Sequence, residues 1–240
     1  MNTIVAESLR VFADELEKAT VENFDETLHS LLVKTFKQHG RVIFNGNGYG
    51  EEWVREAEKR GLPNLVSAVD ALPHFEDEKS VAVFGQHKVF TEREIHARTE
   101  ILLENYYKTL NIEAHTAVEM VKRDYTPAVM AYQKVLCDII ASKKNVGIDT
   151  SVEMGSVQKI SSLASSMVEK TDTLCKLLEK AKLMVMNKEM TGVEKIARFY
   201  HDEIVAKMNE IREDVDALET MVAADYWPVP TYGEILFSVK

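Results

Sequence analysis

The chain has 240 residues, 45% of them hydrophobic and 28% charged, with 39 acidic against 29 basic side chains and a formal net charge of −10. That composition excludes a disordered chain, and its length permits a sizeable core without disulfide support. The acidity, concentrated in the first 120 residues (21 acidic, 13 basic), argues against nucleic-acid or anionic-membrane partners, since both would be repelled on average.

No run approaches the ~18 apolar residues of a membrane span, and the start, MNTIVAESLRVF, lacks a secretory pattern because Glu7 and Arg10 interrupt its apolar stretch. Cys137 and Cys175 have no metal-type spacing and read as small buried hydrophobes of a reducing compartment. A cytoplasmic location is expected.

In chain order, Val5, Leu9, Phe12 and Leu16 mark a first helix over Thr3–Ala19, and a second is predicted over Val21–His39 with Gly40 just past its cap. Arg41–Phe44 (RVIF) is a short strand candidate, Asn45–Gly50 (NGNGYG) a turn-rich loop, and Glu51–Arg60 a short helix stopped by Gly61 and Pro63. The next stretch is ambiguous, and SVAVF suits either a strand or a helix fragment. Thr91 and Glu94 form a capping box for a long helix with a bend or break expected around Asn111–Met120, and Pro127 predicts a kink or restart at Tyr125–Thr126 before a helix over Ala128–Ser142.

Two seams follow. Ile160, Leu163, Met167, Thr171, Leu174, Leu178, Ala181 and Val185 recur every three or four residues, as do Val193, Ala197, Tyr200, Ile204, Met208, Ile211, Val215, Leu218 and Val222. They predict two helices paired antiparallel across a turn at Lys188–Thr191, the second opened by a capping box from Thr191 to Glu194. The small residues of Ser161–Ser166 (SSLASS) suit close helix approach. The tail WPVPTYGEILF is expected to dock on an apolar surface of this chain or a partner, through Trp227, Pro228, Pro230 and Tyr232. The fold class is therefore mainly α: an antiparallel bundle of long helices, preceded by a small, irregular α/β-like segment.

Chemistry-bearing patterns are sparse. The Asn45–Gly50 loop sits between an apolar run and a helix, as phosphate loops do, but Glu51 stands where GxGxxG requires glycine, and no GK[ST] follows. Glu51 and Glu52 at the helix start would repel phosphate. Asn45, Gly46, Asn47 and Gly48 remain the candidates should the chain be a nucleotide-binding or sensing module. His96 with Glu100 and His115 with Glu119 are i,i+4 pairs compatible with a metal, but they read better as surface hydrogen bonds on a helix, and the Glu-x-x-His of di-metal bundles is missing. No catalytic constellation emerges.

Four strings, taken in order, carry a resemblance: NTIVAESLRVFADELEKA (Asn2–Ala19), RVIFNGNGYGEEWVREAEKRGLPNL (Arg41–Leu65), Asp70–Ala114 beginning DALPHF, and ADYWPVPTYGEILF (Ala224–Phe237). Together they resemble the C-terminal part of type III glutamine synthetases. The resemblance implies a much longer parent enzyme that joins glutamate and ammonia using ATP and Mg or Mn, through a γ-glutamyl phosphate, in a large ring-shaped homo-oligomer. It places the metal- and substrate-binding groups upstream of Asn2, so no catalytic, metal or cofactor residue is carried onto this chain. Residues 1–90 are then expected to pack on the catalytic domain, and residues 91–240 to form a helical bundle with a proline-rich aromatic tail. The partners implied are that domain and neighbouring subunits.

Overall fold

The computed structural model describes residues 1–230 and 232–237, with the side chain of Tyr232 outside the described residues. It is 80% helical, with no strand among the described residues, a mainly α fold. The chain divides into two compact units, Met1–Leu102 and Leu103–Lys240.

In the first unit, α1 (Asn2–Leu16) and α2 (Phe24–His39) pack as a hairpin, and α1 also meets α5 (Glu78–Gln86). Between them lie α3 (Glu51–Lys59) and α4 (Ala68–Ala71). α2 starts three residues later than the periodicity predicts, because the Asn23 side chain holds the preceding turn by accepting from the Thr20 amide at 2.7 Å. Asp25 and Glu26 in its first turn and Lys37 and His39 in its last complement the helix dipole. Gly40 does not adopt the left-handed conformation expected past a cap: with φ of −54° it continues into a 3-10 turn, Gly40–Val42.

That turn takes Arg41 and Val42, so the strand expected over Arg41–Phe44 does not form, although Ile43 is extended. A lone strand leaves its amides and carbonyls unpaired, and here the Arg60 guanidinium serves the Arg41 and Ile43 carbonyls at 3.2 and 2.7 Å. SVAVF resolves as helix, within α5.

α1 is tied to the end of α5 through Glu7, which accepts from Arg10 at 2.8 and 3.0 Å and meets His87 Nε2 at 2.8 Å. The Arg10 hydrogen bonds, then His87, hold the Glu7 carboxyl at about 2, against an ordinary 4.5. A depressed carboxylate adds stability that is complete above its unfolded value and lost as pH falls toward the folded one. Between pH 4.5 and 2 the parent chain should therefore lose stability that Glu7→Gln lacks at every pH, so the two converge near pH 2. Acid titration of both, followed by circular dichroism, checks this; parallel curves would refute it.

The predicted capping box opens α6 (Glu92–Met120): Thr91 N–H donates to Glu94 Oε2 at 2.8 Å and Glu94 N–H to Thr91 Oγ1 at 3.3 Å. The division between units falls within α6. The helix runs unbroken to a π turn, Val121–Tyr125, in which Thr126 N–H donates to the Val121 carbonyl five residues back. α7 (Thr126–Asn145) restarts with Pro127 in its first turn, where the missing N–H costs no helical bond. The restart falls where Pro127 predicts it.

α8 (Ser151–Met186) is the centre of the second unit, packed by α7 and by the return segment of α10 (Val193–Phe199), a π turn (Tyr200–Val205) and α11 (Ala206–Glu219). Ile160, Met167, Thr171, Leu174, Leu178 and Ala181 of α8 are buried, facing Val193, Ala197, Tyr200, Ile204, Ile211 and Leu218. Each large aliphatic side chain so buried contributes about 1.5–3 kcal/mol. The connection is α9 (Lys188–Thr191) followed by Gly192, whose φ of +84° only glycine adopts without strain. Thr191 is the last residue of α9 and Gly192 occupies the cap, so the second capping box does not form; Glu194 pairs with Arg198 at 3.5 Å instead. The chain closes with a 3-10 turn, Ala224–Tyr226, and α12 (Tyr232–Leu236).

The cysteines depart from expectation. Cys137 is exposed and Cys175 half-buried, with Lys122 Nζ 3.4 Å from its sulfur. Leu136 and Ile140 take the buried positions of that part of α7 and turn Cys137 outward.

Candidate functional site

The Asn45–Gly50 loop is held from both flanks. Phe44 before it stacks on Trp53 of α3, ring centroids 4.5 Å apart, and the Arg60 guanidinium lies 5.8 Å from the Trp53 ring. Gly46 rests against the Phe44 ring so closely that a Cβ would fall 2.5 Å from Cζ. Asn47 Oδ1 accepts from the Tyr49 amide at 3.0 Å, and the Asn47 carbonyl from the Gly50 amide at 3.1 Å. The outcome is a braced turn with the Tyr49 ring wholly in solvent, at 103% relative exposure. Glu51 and Glu52 open α3, and Arg60 is turned to carbonyls, an arrangement of the wrong sign for a phosphate cradle.

The tail residues split. Trp227 is half-buried and stacks on Tyr125 at 5.2 Å, and Tyr226 packs on Tyr132 at 5.6 Å, so the tail's first aromatics dock on this chain's own π turn and α7. The Trp227 indole N–H is buried there without a hydrogen-bond partner among the described residues. Pro228 and Pro230 are exposed, and the Tyr232 side chain lies outside the described residues.

The metal-type pairs do not assemble. His96 Nδ1 meets Glu76 at 3.1 Å, His115 is exposed, and no three potential ligands converge among the described residues. None of the helices in the described residues is long and apolar enough to cross a membrane.

Sequence reasoning missed a polar cluster buried in the bundle. Asp214, 7% exposed, accepts from Ser166 Oγ and from Lys170 Nζ, both at 2.8 Å, and Lys170 also donates to the Glu210 carbonyl at 3.1 Å. Asp214 stands three residues after Ile211 and four before Leu218, beside Val215, which completes the predicted seam and so leaves the buried aspartate unmarked in the sequence.

Residues 27–144 match the family model for the glutamine synthetase C-terminal domain. A glutamine synthetase of Butyrivibrio fibrisolvens is 39% identical over 221 residues, covering 91% of this chain and 31% of its own length. The chain belongs to the glutamine synthetase family as a C-terminal region. The type-3 glutamine synthetase of Dictyostelium discoideum is 34% identical across 99% of this chain and 32% of its own. A glutamine synthetase of Bacteroides fragilis is 27% identical, over 99% and 33%. This glutamine synthetase C-terminal region thus spans about a third of the curated relatives it matches.

Proposed function

We propose that the chain is the architectural, catalytically silent C-terminal part of a type-3 glutamine synthetase. Residues 1–90 cover the catalytic part of the longer polypeptide, and the bundle of residues 91–240 meets neighbouring subunits of a large homo-oligomer. The parent reaction, glutamine from glutamate, ammonia and ATP with Mg or Mn, is assigned upstream. The residues of this chain do not suit such a cofactor: the braced loop leads into Glu51 and Glu52, and no three-ligand cluster converges among the described residues.

One observation carries the reading. α1 and α2, of 15 and 16 residues, bury no side chain, while Ile4, Val5, Leu9, Leu32 and Phe36 lie exposed along them. Isolated helices of this length are marginal in water, and a hairpin whose contact side chains Phe12, Leu16, Leu28 and Leu31 are only half-buried does little to offset the entropy of ordering it. A covering surface supplies what is missing.

Two measurements test the proposal. The reading frame upstream of codon 2 should encode a domain carrying the metal and ATP residues, and the purified chain should make no glutamine. A stop codon immediately upstream, or synthesis by the chain alone, overturns it.

A further inference from the structure

We propose that the Asn45–Gly50 loop is a preorganised docking peg, whose Tyr49 ring inserts into the upstream catalytic part of the same polypeptide. The inference rests on the packing role proposed above and names the contact that anchors it.

The loop is braced to a degree that its own surroundings do not use. The Phe44–Trp53 stack, the Arg60 reach across 17 and 19 residues to two carbonyls, and the closed approach of Gly46 all fix its base. The Asn47 side chain fixes its tip. What this framework presents is a tyrosine held by its backbone amide, with its ring wholly in solvent. Tyrosine supplies a large amphipathic contact area for two rotatable angles, and holding it in place beforehand removes the ordering cost of binding. Such rigid aromatic anchors are the residues that dominate interfaces.

The occupant is argued from charge and from chain length. Self-association of the loop would bring two copies of Glu51 and Glu52 face to face, so a second peg is disfavoured. The relatives extend over about three times the length matched here, and a tethered polypeptide reaches the loop at high effective concentration. It is also the surface invoked to cover α1 and α2, in the same unit of the fold.

Thiol labelling separates the outcomes, in a background where Cys137 and Cys175 are replaced by serine. Tyr49→Cys and, separately, Leu9→Cys on α1 are introduced into the 240-residue chain and into the full-length enzyme. In the short chain both should react as free thiols; in the full-length enzyme Tyr49→Cys should react at least about ten-fold more slowly, as expected for a buried site that opens only transiently. Tyr49→Ala should lower the thermal transition of the full-length enzyme and leave that of the short chain unchanged. Gly46→Ala, which drives a Cβ into the Phe44 ring, should weaken the same protection.

Protection at position 9 with free labelling at 49 overturns the peg while the packing role stands. Free labelling at both overturns the two together. Protection at 49 that vanishes when the assembly is dissociated into single chains overturns the same-polypeptide occupant in favour of a neighbouring copy.

Discussion

Lys170→Met is expected to destabilise the bundle by about 2–3 kcal/mol, far more than an ordinary surface substitution. Among the described residues the lysine is the cation on Asp214, a carboxylate 7% exposed in the α8–α11 interface, and removing it leaves the Ser166 hydroxyl on that charge. Lys170 itself keeps about a quarter of its side chain in water, which holds the figure below that of a wholly buried pair. The double variant Lys170→Met/Asp214→Leu should recover most of the loss. It removes the stranded charge and makes the stripe Ile211–214–Leu218 continuously apolar. Urea unfolding of the single and double variants, with the denaturant slope as a check that the folded state is unchanged, measures both. A single variant within about 0.5 kcal/mol of the parent would show that the cluster is not an ion pair in solution. A double variant as unstable as the single would assign the lysine's effect to packing of its aliphatic stem.

That cluster also shows where sequence reading stops. The two seams of the α8 and α10–α11 hairpin were legible because a narrow apolar stripe on a charged helix has one way to be buried, and its residues repeat every three or four positions. The first capping box and the restart near Pro127 were legible because each is a local constraint of a few residues. Arg41–Phe44 was misread for the opposite reason: four apolar or basic residues carry too little periodicity to separate strand from turn, and Arg60 decides the matter from 17 and 19 residues away. Thr191 was misread because a glycine beside it competes for the cap, and Gly192 takes the positive φ that threonine resists. The loop was legible as a turn from its Asn-Gly pairs. Its bracing by Phe44, Trp53 and Arg60, and the isolation of Tyr49, depend on contacts that spacing does not encode.

Residues 1–102 produced alone are expected to melt broadly and at low temperature, with α1 and α2 fraying first, whereas residues 91–240 should melt cooperatively. The expectation follows from what each unit buries. Within Met1–Leu102 the buried side chains are Ala57, Val69, Ile95 and Thr99, among the described residues. So few fully buried side chains leave little to offset the conformational entropy lost on ordering the unit. The bundle instead buries a continuous seam from Leu103 through Val222, including Tyr107, Met167, Leu174, Tyr200 and Ile204. Residues 91–240 keep the Thr91–Glu94 box that starts its first helix. Far-UV circular dichroism and limited proteolysis of the two segments give the answer directly. A cooperative transition in residues 1–102 alone would remove the argument that the α1–α2 face needs a covering surface, because a unit that is stable with Leu9 and Phe36 in water has no deficit for a partner to fill.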